Sequence, residues 1–80
     1  MTLQETLQWI AEVFEDSADR IKVDTPRADV AGWDSLGTLS LIAGLDEKFN
    51  IQLSEQEIEG LQSVGDIVAV LRRAGALEAA

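Results

Sequence analysis

The chain contains neither cysteine nor histidine, which limits how a sequence of 80 residues can be held in one fold. A domain of this size buries only a modest share of its surface. Disulfides and histidine or cysteine metal sites, the usual supports of small domains, are not available to it. Its stability must therefore come from well-packed regular elements. Apolar residues recur at helical spacing in four segments, so we predict a single all-α domain over residues 1–80, with four helices and no sheet.

The first helix is predicted over about residues 3–16, opened by a capping box of Thr2 and Glu5. We expect Trp9 to be half-buried against the last helix. The apolar stripe of this helix is Leu3, Leu7, Ile10 and Phe14.

A long connection covers residues 17–34, and Pro26 excludes a regular helix across its middle. So long a connection in so small a domain is expected to be functional or to pack onto the helices. Its predicted apolar anchors on the bundle are Ile21, Val23 and Val30.

The second helix is predicted from about Ser35 to Phe49, and a projection at 100° per residue separates two faces. We expect the core face to consist of Leu39, Ile42, Leu45 and Phe49. The opposite face carries Leu36, Ser40, Ala43 and Glu47, and we expect Leu36 to be largely exposed. Gly37 and Gly44 each cost a helix about 1 kcal/mol relative to alanine, which favours a close approach by another part of the molecule.

Two shorter helices complete the pattern. Ser54 and Glu57 form a second capping box, which opens a short third helix ending near Gly60. Ile58 and Leu61 should close the bundle over helix two. The last helix begins near Ser63 and has a predicted buried stripe of Val64, Ile67, Val68 and Leu71. Gly75 should end it, and residues 76–80 should be loose with Leu77 folded back.

Ser35 lies where the polar loop becomes the second helix. A serine nucleophile needs a base, most often histidine, and this chain has none. A G-x-S-x-G elbow would need glycine at the position of Trp33. We therefore exclude a catalytic serine, and no other catalytic residue is predicted. Two uses of Ser35 remain: a helix cap, or a hydroxyl that another enzyme modifies, since a phosphate ester is favoured at a helix N-terminus.

The formal net charge is −9, from 15 acidic and 6 basic residues. This charge argues against nucleic acid as a partner and favours proteins with basic patches. The acidic residues are scattered without a calcium-loop pattern, so no metal site is predicted. No apolar run is long enough for a membrane span, and the start lacks a signal-peptide pattern. Together with the absence of cysteine, this predicts a cytoplasmic protein.

Asp34-Ser35-Leu36, near the middle of a small, acidic, helical chain, resembles the acyl carrier proteins. The similarity covers nearly the whole chain, because Phe49-Asn50-Ile51 and two shorter helices follow at the expected places. It implies a four-helix bundle of three longer helices and a short third one, with a long loop between helices one and two. It also implies a carrier rather than an enzyme, with 4′-phosphopantetheine from coenzyme A on Ser35 and acyl groups held on its thiol as thioesters.

The resemblance also implies partners and a docking surface. The partners would be a phosphopantetheinyl transferase, an enzyme loading acyl or aminoacyl groups, and acyl-transferring or condensing enzymes with basic patches, all meeting a monomeric carrier. Asp34, Leu36 and Glu47 match positions that face partners in the family, and Ala43 shares their face. Carriers of fatty acid synthases usually have acids just after D-S-L, whereas this chain has no charge from Gly37 to Leu45. That departure favours a discrete carrier of a specialised pathway, recognised more by shape and apolar contact.

Alternatives remain open on the sequence. An aminoacyl or peptidyl carrier would have the same fold, although Asp34 before Ser35 departs from the common peptidyl pattern. An unmodified helical protein-interaction module would keep the fold without the arm. The sequence does not identify the carried group. A carried group that folds back onto the bundle would lie between helices two and three, near Ile58 and Leu61.

Overall fold

A computed structural model of the chain describes residues 1–77. Over these residues the backbone forms four α-helices and two 3₁₀ turns, without a β-strand, so the predicted all-α fold is confirmed. The helices are α1 (Leu3–Val13), α2 (Ser35–Phe49), α3 (Glu55–Glu59) and α4 (Val64–Arg73). The 3₁₀ turns, Ala18–Arg20 and Arg27–Asp29, lie in the connection between α1 and α2. No described helix combines the length and apolarity that a membrane crossing requires.

Helix α1 begins as predicted and ends earlier. Both capping-box bonds are present, with the Glu5 N–H donating to Thr2 Oγ1 (3.1 Å) and the Thr2 N–H to Glu5 Oε1 (2.9 Å). The helix ends at Val13, not near residue 16, because Glu15 takes a left-handed conformation with φ 55°. The Asp16 N–H then donates to the carbonyl of Ala11 (2.9 Å), which closes the helix end.

The buried side of α1 is only partly the predicted stripe. Ile10 and Phe14 are buried, as are Thr6 and Ala11, whereas Leu3 is 39% exposed, so its assignment to the stripe was wrong. Trp9 is half-buried as predicted, but its ring contacts α2 instead of the last helix expected from the sequence. It lies edge-on to Phe49, with ring centroids 5.1 Å apart, and against Gly44.

Helix α2 has the predicted bounds, but part of its predicted core face was wrong. Leu45 is buried, Ile42 and Phe49 are half-buried, and Leu39 is 63% exposed. The buried row is instead Gly37, Leu41 and Leu45. Apolar residues surround this helix on all sides, so their spacing does not fix which side faces the core.

The two glycines of α2 decide its orientation through close approaches. A Cβ on Gly37 would lie 1.8 Å from the carbonyl oxygen of Gly32. A Cβ on Gly44 would lie 2.9 Å from the Trp9 ring. The side of α2 that carries the two glycines therefore lies against the loop and α1, which is the close approach that the sequence suggested. In this orientation Leu39 lies at the surface.

The long connection is fixed by two of its three predicted anchors. Ile21 and Val30 are buried, whereas Val23 is 41% exposed, so it was wrongly predicted as an anchor. Backbone bonds to the α3–α4 connection take over that role. The Arg27 N–H donates to the Gln62 carbonyl (2.8 Å), and the Val64 N–H donates to the Thr25 carbonyl (2.9 Å).

The last two helices follow the prediction closely. The Ser54–Glu57 capping box is present, α3 ends before Gly60, and Leu61 is buried while Ile58 is half-buried. Gly75, with φ 77°, follows the end of α4, and Leu77 is buried, so its predicted return to the bundle is confirmed. The end was predicted to be loose over residues 76–80, which was wrong for Ala76: it packs against the core, and its N–H donates to the Leu71 carbonyl (2.9 Å). Residues 78–80 lie outside the described residues. The buried residues of α4 are the predicted four and Val70: Val64, Ile67, Val68, Val70 and Leu71.

Candidate functional site

Ser35 is the first residue of α2, and its side chain is exposed. The cap of the helix is Asp34, whose Oδ1 accepts the Gly37 N–H at 2.8 Å. The Asp34 carbonyl accepts both the N–H and the hydroxyl of Thr38, each at 2.8 Å. Within residues 1–77 the Ser35 hydroxyl has no hydrogen-bond partner. Of the two uses left open by the sequence, capping belongs to Asp34, and the Ser35 hydroxyl is left accessible to a modifying enzyme.

The backbone at this helix start suits a negatively charged ester. The Gly37 and Thr38 N–H groups are used by Asp34, whereas those of Ser35 and Leu36 have no acceptor among the described residues. Unpaired N–H groups and the dipole of a 15-residue helix both favour an anion at this end. The residues present therefore fit a phosphodiester on Ser35.

The turn before Ser35 is held by contacts with the end of α1. A Cβ on Gly32 would lie 1.8 Å from the carbonyl oxygen of Phe14, so no other residue fits there without displacing the backbone. Trp33 is buried and stacks on the Phe14 ring, with centroids 5.1 Å apart and planes at 18°. On Trp33 lies the Arg27 guanidinium, 5.4 Å from the ring centroid. This stack was not predicted from the sequence, where its one signal was a large aromatic residue, Trp33, next to the cap.

The outer side of α2 brings together most of the residues predicted to face partners. Leu36, Ala43 and Glu47 are exposed on one face with Ser40, as predicted, and Leu36 is 73% exposed. Asp34 is exposed directly before this face. Leu39 also belongs to it and was missed because it was assigned to the core. We call this surface the α2 outer face: Leu36, Leu39, Ser40, Ala43 and Glu47.

The carboxylates of the described residues form no metal site, since no group of three or more metal-ligating side chains comes together there. Besides Asp34, the carboxyl groups of Glu5 and Glu57 bind helix starts. The pKa values of Glu5 and Glu57 lie below the ordinary value of 4.5, because each carboxylate accepts the backbone N–H of its cap, Thr2 or Ser54, and also interacts with the hydroxyl of that cap. Both groups stabilise helix ends that are separate from Ser35.

Comparison with known proteins gives a family for this arrangement. Residues 4–71 match a family model described as a phosphopantetheine attachment site. The chain is similar to the acyl carrier protein of Clostridium acetobutylicum, with 33% identity over 72 residues that cover 90% of this chain and 94% of the relative. It is 39% identical over 67 residues to the acyl carrier protein of Helicobacter pylori, covering 70% of this chain and 86% of the relative. The acyl carrier protein of Kineococcus radiotolerans is 28% identical over 75 residues, covering 89% and 93%.

Proposed function

This chain belongs to the acyl carrier protein family, and on that premise we propose that Ser35 is the residue to which its 4′-phosphopantetheine is attached. Members of this family are carriers and not enzymes, and phosphopantetheine is the group that their attachment site takes. The observation that carries the proposal is the exposed Ser35 hydroxyl, without an intramolecular partner in the described chain, at the first residue of α2. The Ser35 hydroxyl is not needed as a helix cap, because the Asp34 side chain caps α2.

The attachment is a phosphoryl transfer catalysed by another protein. The Ser35 oxygen forms a bond to the phosphorus that bears the pantetheine of coenzyme A. The bond from that phosphorus to the bridging pyrophosphate oxygen breaks, and adenosine 3′,5′-bisphosphate leaves. The hydroxyl proton goes to a base of the transferase, because the chain has no histidine and the neighbouring Asp34 carboxylate is engaged as the cap.

Once attached, the group supplies a thiol at the end of a long arm, on which acyl groups are held as thioesters. The chain contributes the site and its presentation. The unpaired N–H groups of Ser35 and Leu36 would stabilise the diester charge, by about 0.3–1 kcal/mol at an exposed helix end. The Phe14–Trp33 stack holds the preceding turn against α1. A tethered substrate then reaches each partner at high local concentration.

Partners would recognise the α2 outer face and Asp34. Asp34 and Glu47 supply negative charges for the basic patches of a transferase and of loading, transferring or condensing enzymes. Leu36 and Leu39, 73% and 63% exposed, supply apolar contact that folding does not require. The uncharged stretch from Gly37 to Leu45 supports a carrier of a specialised pathway with dedicated partners. We extend the proposal to one monomeric carrier domain over residues 1–80, acting in the cytoplasm on an acyl-type intermediate.

The test is intact mass after incubation with coenzyme A and a broad-specificity phosphopantetheinyl transferase. We expect wild-type protein and the matched control Ser17→Ala, an exposed serine outside the α2 outer face, to gain the mass of one phosphopantetheine, and Ser35→Ala to gain none. Ser35→Ala should keep its free energy of unfolding within about 0.5 kcal/mol of wild type, because Asp34 caps the helix. A wild-type mass that never changes would reject the attachment and leave an unmodified interaction module.

A further inference from the structure

An open hollow of about 600 Å³ lies beside the loop that leads to Ser35. Its walls are mainly apolar and come from the α1–α2 connection, including Pro26, Ala31 and Trp33, and Gln62 also lines it. Among the described residues that line it, Arg27 is the only one with a charge. The hollow therefore combines apolar walls with a single cation.

Arg27 is prepared to bind an anion there. Its guanidinium lies over the Trp33 ring and its side chain is half-buried. Within residues 1–77 it forms no ion pair, although the chain carries 15 acidic residues; Arg20, by contrast, lies 3.9 Å from Asp16. The Trp33 ring occupies one side of the guanidinium, and its N–H groups, which form no ion pair among the described residues, remain for a carboxylate, which a guanidinium binds in a bidentate manner.

The hollow is close to the attachment residue. Trp33 lies in its wall and precedes Ser35 by two residues, a separation of at most about 7 Å along the backbone. Trp33 is also fixed in place by its stack on Phe14. An acyl group on the arm of Ser35 therefore reaches the hollow when the flexible arm folds back, and tethering to the same molecule raises its effective concentration there.

The neighbouring hollows of the described chain suit an anion less well. The one between the end of α1 and the start of α2 is lined by Glu12, Glu15 and Asp34 without a cation. Two further hollows have walls with charges of both signs: Asp24 and Lys22 line one of them, and Glu57 and Arg73 line the other. A negatively charged group near Ser35 is thus repelled on the α1 side and attracted on the Arg27 side.

We propose that this hollow receives the end of an acyl group tethered at Ser35 when that end bears a carboxylate, with Arg27 as the residue that binds it. This inference rests on the attachment at Ser35 proposed above. The apolar walls take the methylene segment of the acyl group, and the Arg27 edge takes the carboxylate. The carrier would thereby favour dicarboxylic acyl groups over simple fatty acyl groups of equal length.

The test compares adipoyl and hexanoyl forms, which match in carbon number and differ in the terminal carboxylate. Each is made from the corresponding coenzyme A thioester with a broad-specificity transferase, and the bare thiol form is included. The readouts are the NMR shifts of the Arg27 Nε–H and the Trp33 indole N–H. We expect the adipoyl form alone to move both signals. Arg27→Gln should lower the ratio of docked to free adipoyl group by at least about tenfold, judged from Trp33, whereas the matched control Lys22→Gln should not.

The possible outcomes separate this inference from the attachment itself. Absence of a mass gain would reject attachment, and this inference with it. A mass gain with equal shifts for adipoyl and hexanoyl, or with an adipoyl shift that persists in Arg27→Gln, would overturn only the role of Arg27. Equal shifts in the bare thiol form would mean that Arg27 contacts the phosphodiester of the arm, which also overturns it. Arg27→Lys keeps the charge without the bidentate edge and should give an intermediate loss. An unchanged circular dichroism spectrum of Arg27→Gln checks that this variant remains folded.

Discussion

Leu39 and Leu41 are two positions apart in α2 and have opposite surroundings. Leu41 is 0% exposed and belongs to the buried row with Gly37 and Leu45, whereas Leu39 is 63% exposed. The same side chain therefore has a structural role at one position and is available to partners at the other.

Substitution of each leucine by alanine should therefore change the free energy of unfolding by different amounts. Leu41→Ala should lower the free energy of unfolding by about 2–5 kcal/mol, because it removes buried methyl groups and leaves a cavity. Leu39→Ala should change it by no more than about 0.5 kcal/mol. Urea denaturation followed by circular dichroism measures both. Equal losses for the two variants would contradict an orientation of α2 that buries Leu41 and exposes Leu39.

At the scale of elements, α3 shows how local hydrogen bonds support a helix that is short by itself. It has five residues, and isolated helices of that length are not stable in water. The Glu57 carboxylate accepts the Ser54 N–H at 3.0 Å, and the Ser54 hydroxyl accepts the Glu57 N–H at 3.2 Å. The pKa of Glu57 is lowered below 4.5 mainly by this backbone hydrogen bond.

A lowered carboxyl pKa makes part of the stability depend on pH. The Glu57 contribution is fully present above the unfolded pKa near 4.5 and is lost as the pH falls through the lower folded pKa. Glu57→Gln keeps a capping side chain without this titration. Between about pH 5 and pH 3 it should lose less stability than Glu59→Gln, which removes an equal charge from the same helix. Thermal unfolding midpoints across this range would check it, and parallel curves would show that Glu57 has no special part in acid unfolding.

At the scale of the whole molecule, charge and apolar contact should act at different stages of partner binding. A net charge of −9 steers the chain towards a basic partner, and salt screens this attraction beyond about 8–10 Å. By the proposed function, the α2 outer face should add apolar contact through Leu36 and Leu39, which salt does not screen. Encounter is thus expected to weaken with salt while the docked complex keeps its apolar part.

Kinetics of Ser35 modification across a salt series should separate these stages. Leu36→Ala should slow the transferase reaction at every salt concentration, because it removes apolar contact in the docked complex. Glu47→Gln should slow it mainly at low salt, where its charge is not screened. If both variants showed equal, salt-dependent losses, α2 would be recognised by its charges alone.

Features that depend only on residues close together in the chain could be predicted from the sequence. The two capping boxes, the start of α2 at Ser35 and the end of α4 before Gly75 are local, because each needs only a few consecutive side chains with the right hydrogen-bonding or backbone properties. The aspartate and serine that define the site also lie side by side in the chain, so the residue pattern was enough to single out Ser35.

Tertiary structure decided the features whose partners lie far along the chain. The exposure of Leu39 follows from Gly44 meeting Trp9 and Gly37 meeting Gly32, and periodicity alone does not contain those contacts. The Phe14–Trp33 stack with Arg27 joins three segments in the same way. Glu15 takes the left-handed conformation that ends α1, and because this residue is not a glycine, the sequence did not indicate that the helix ends there. Burial depends on which surfaces meet, and in a helix that is apolar on all sides only its neighbours in space can choose the side that is buried.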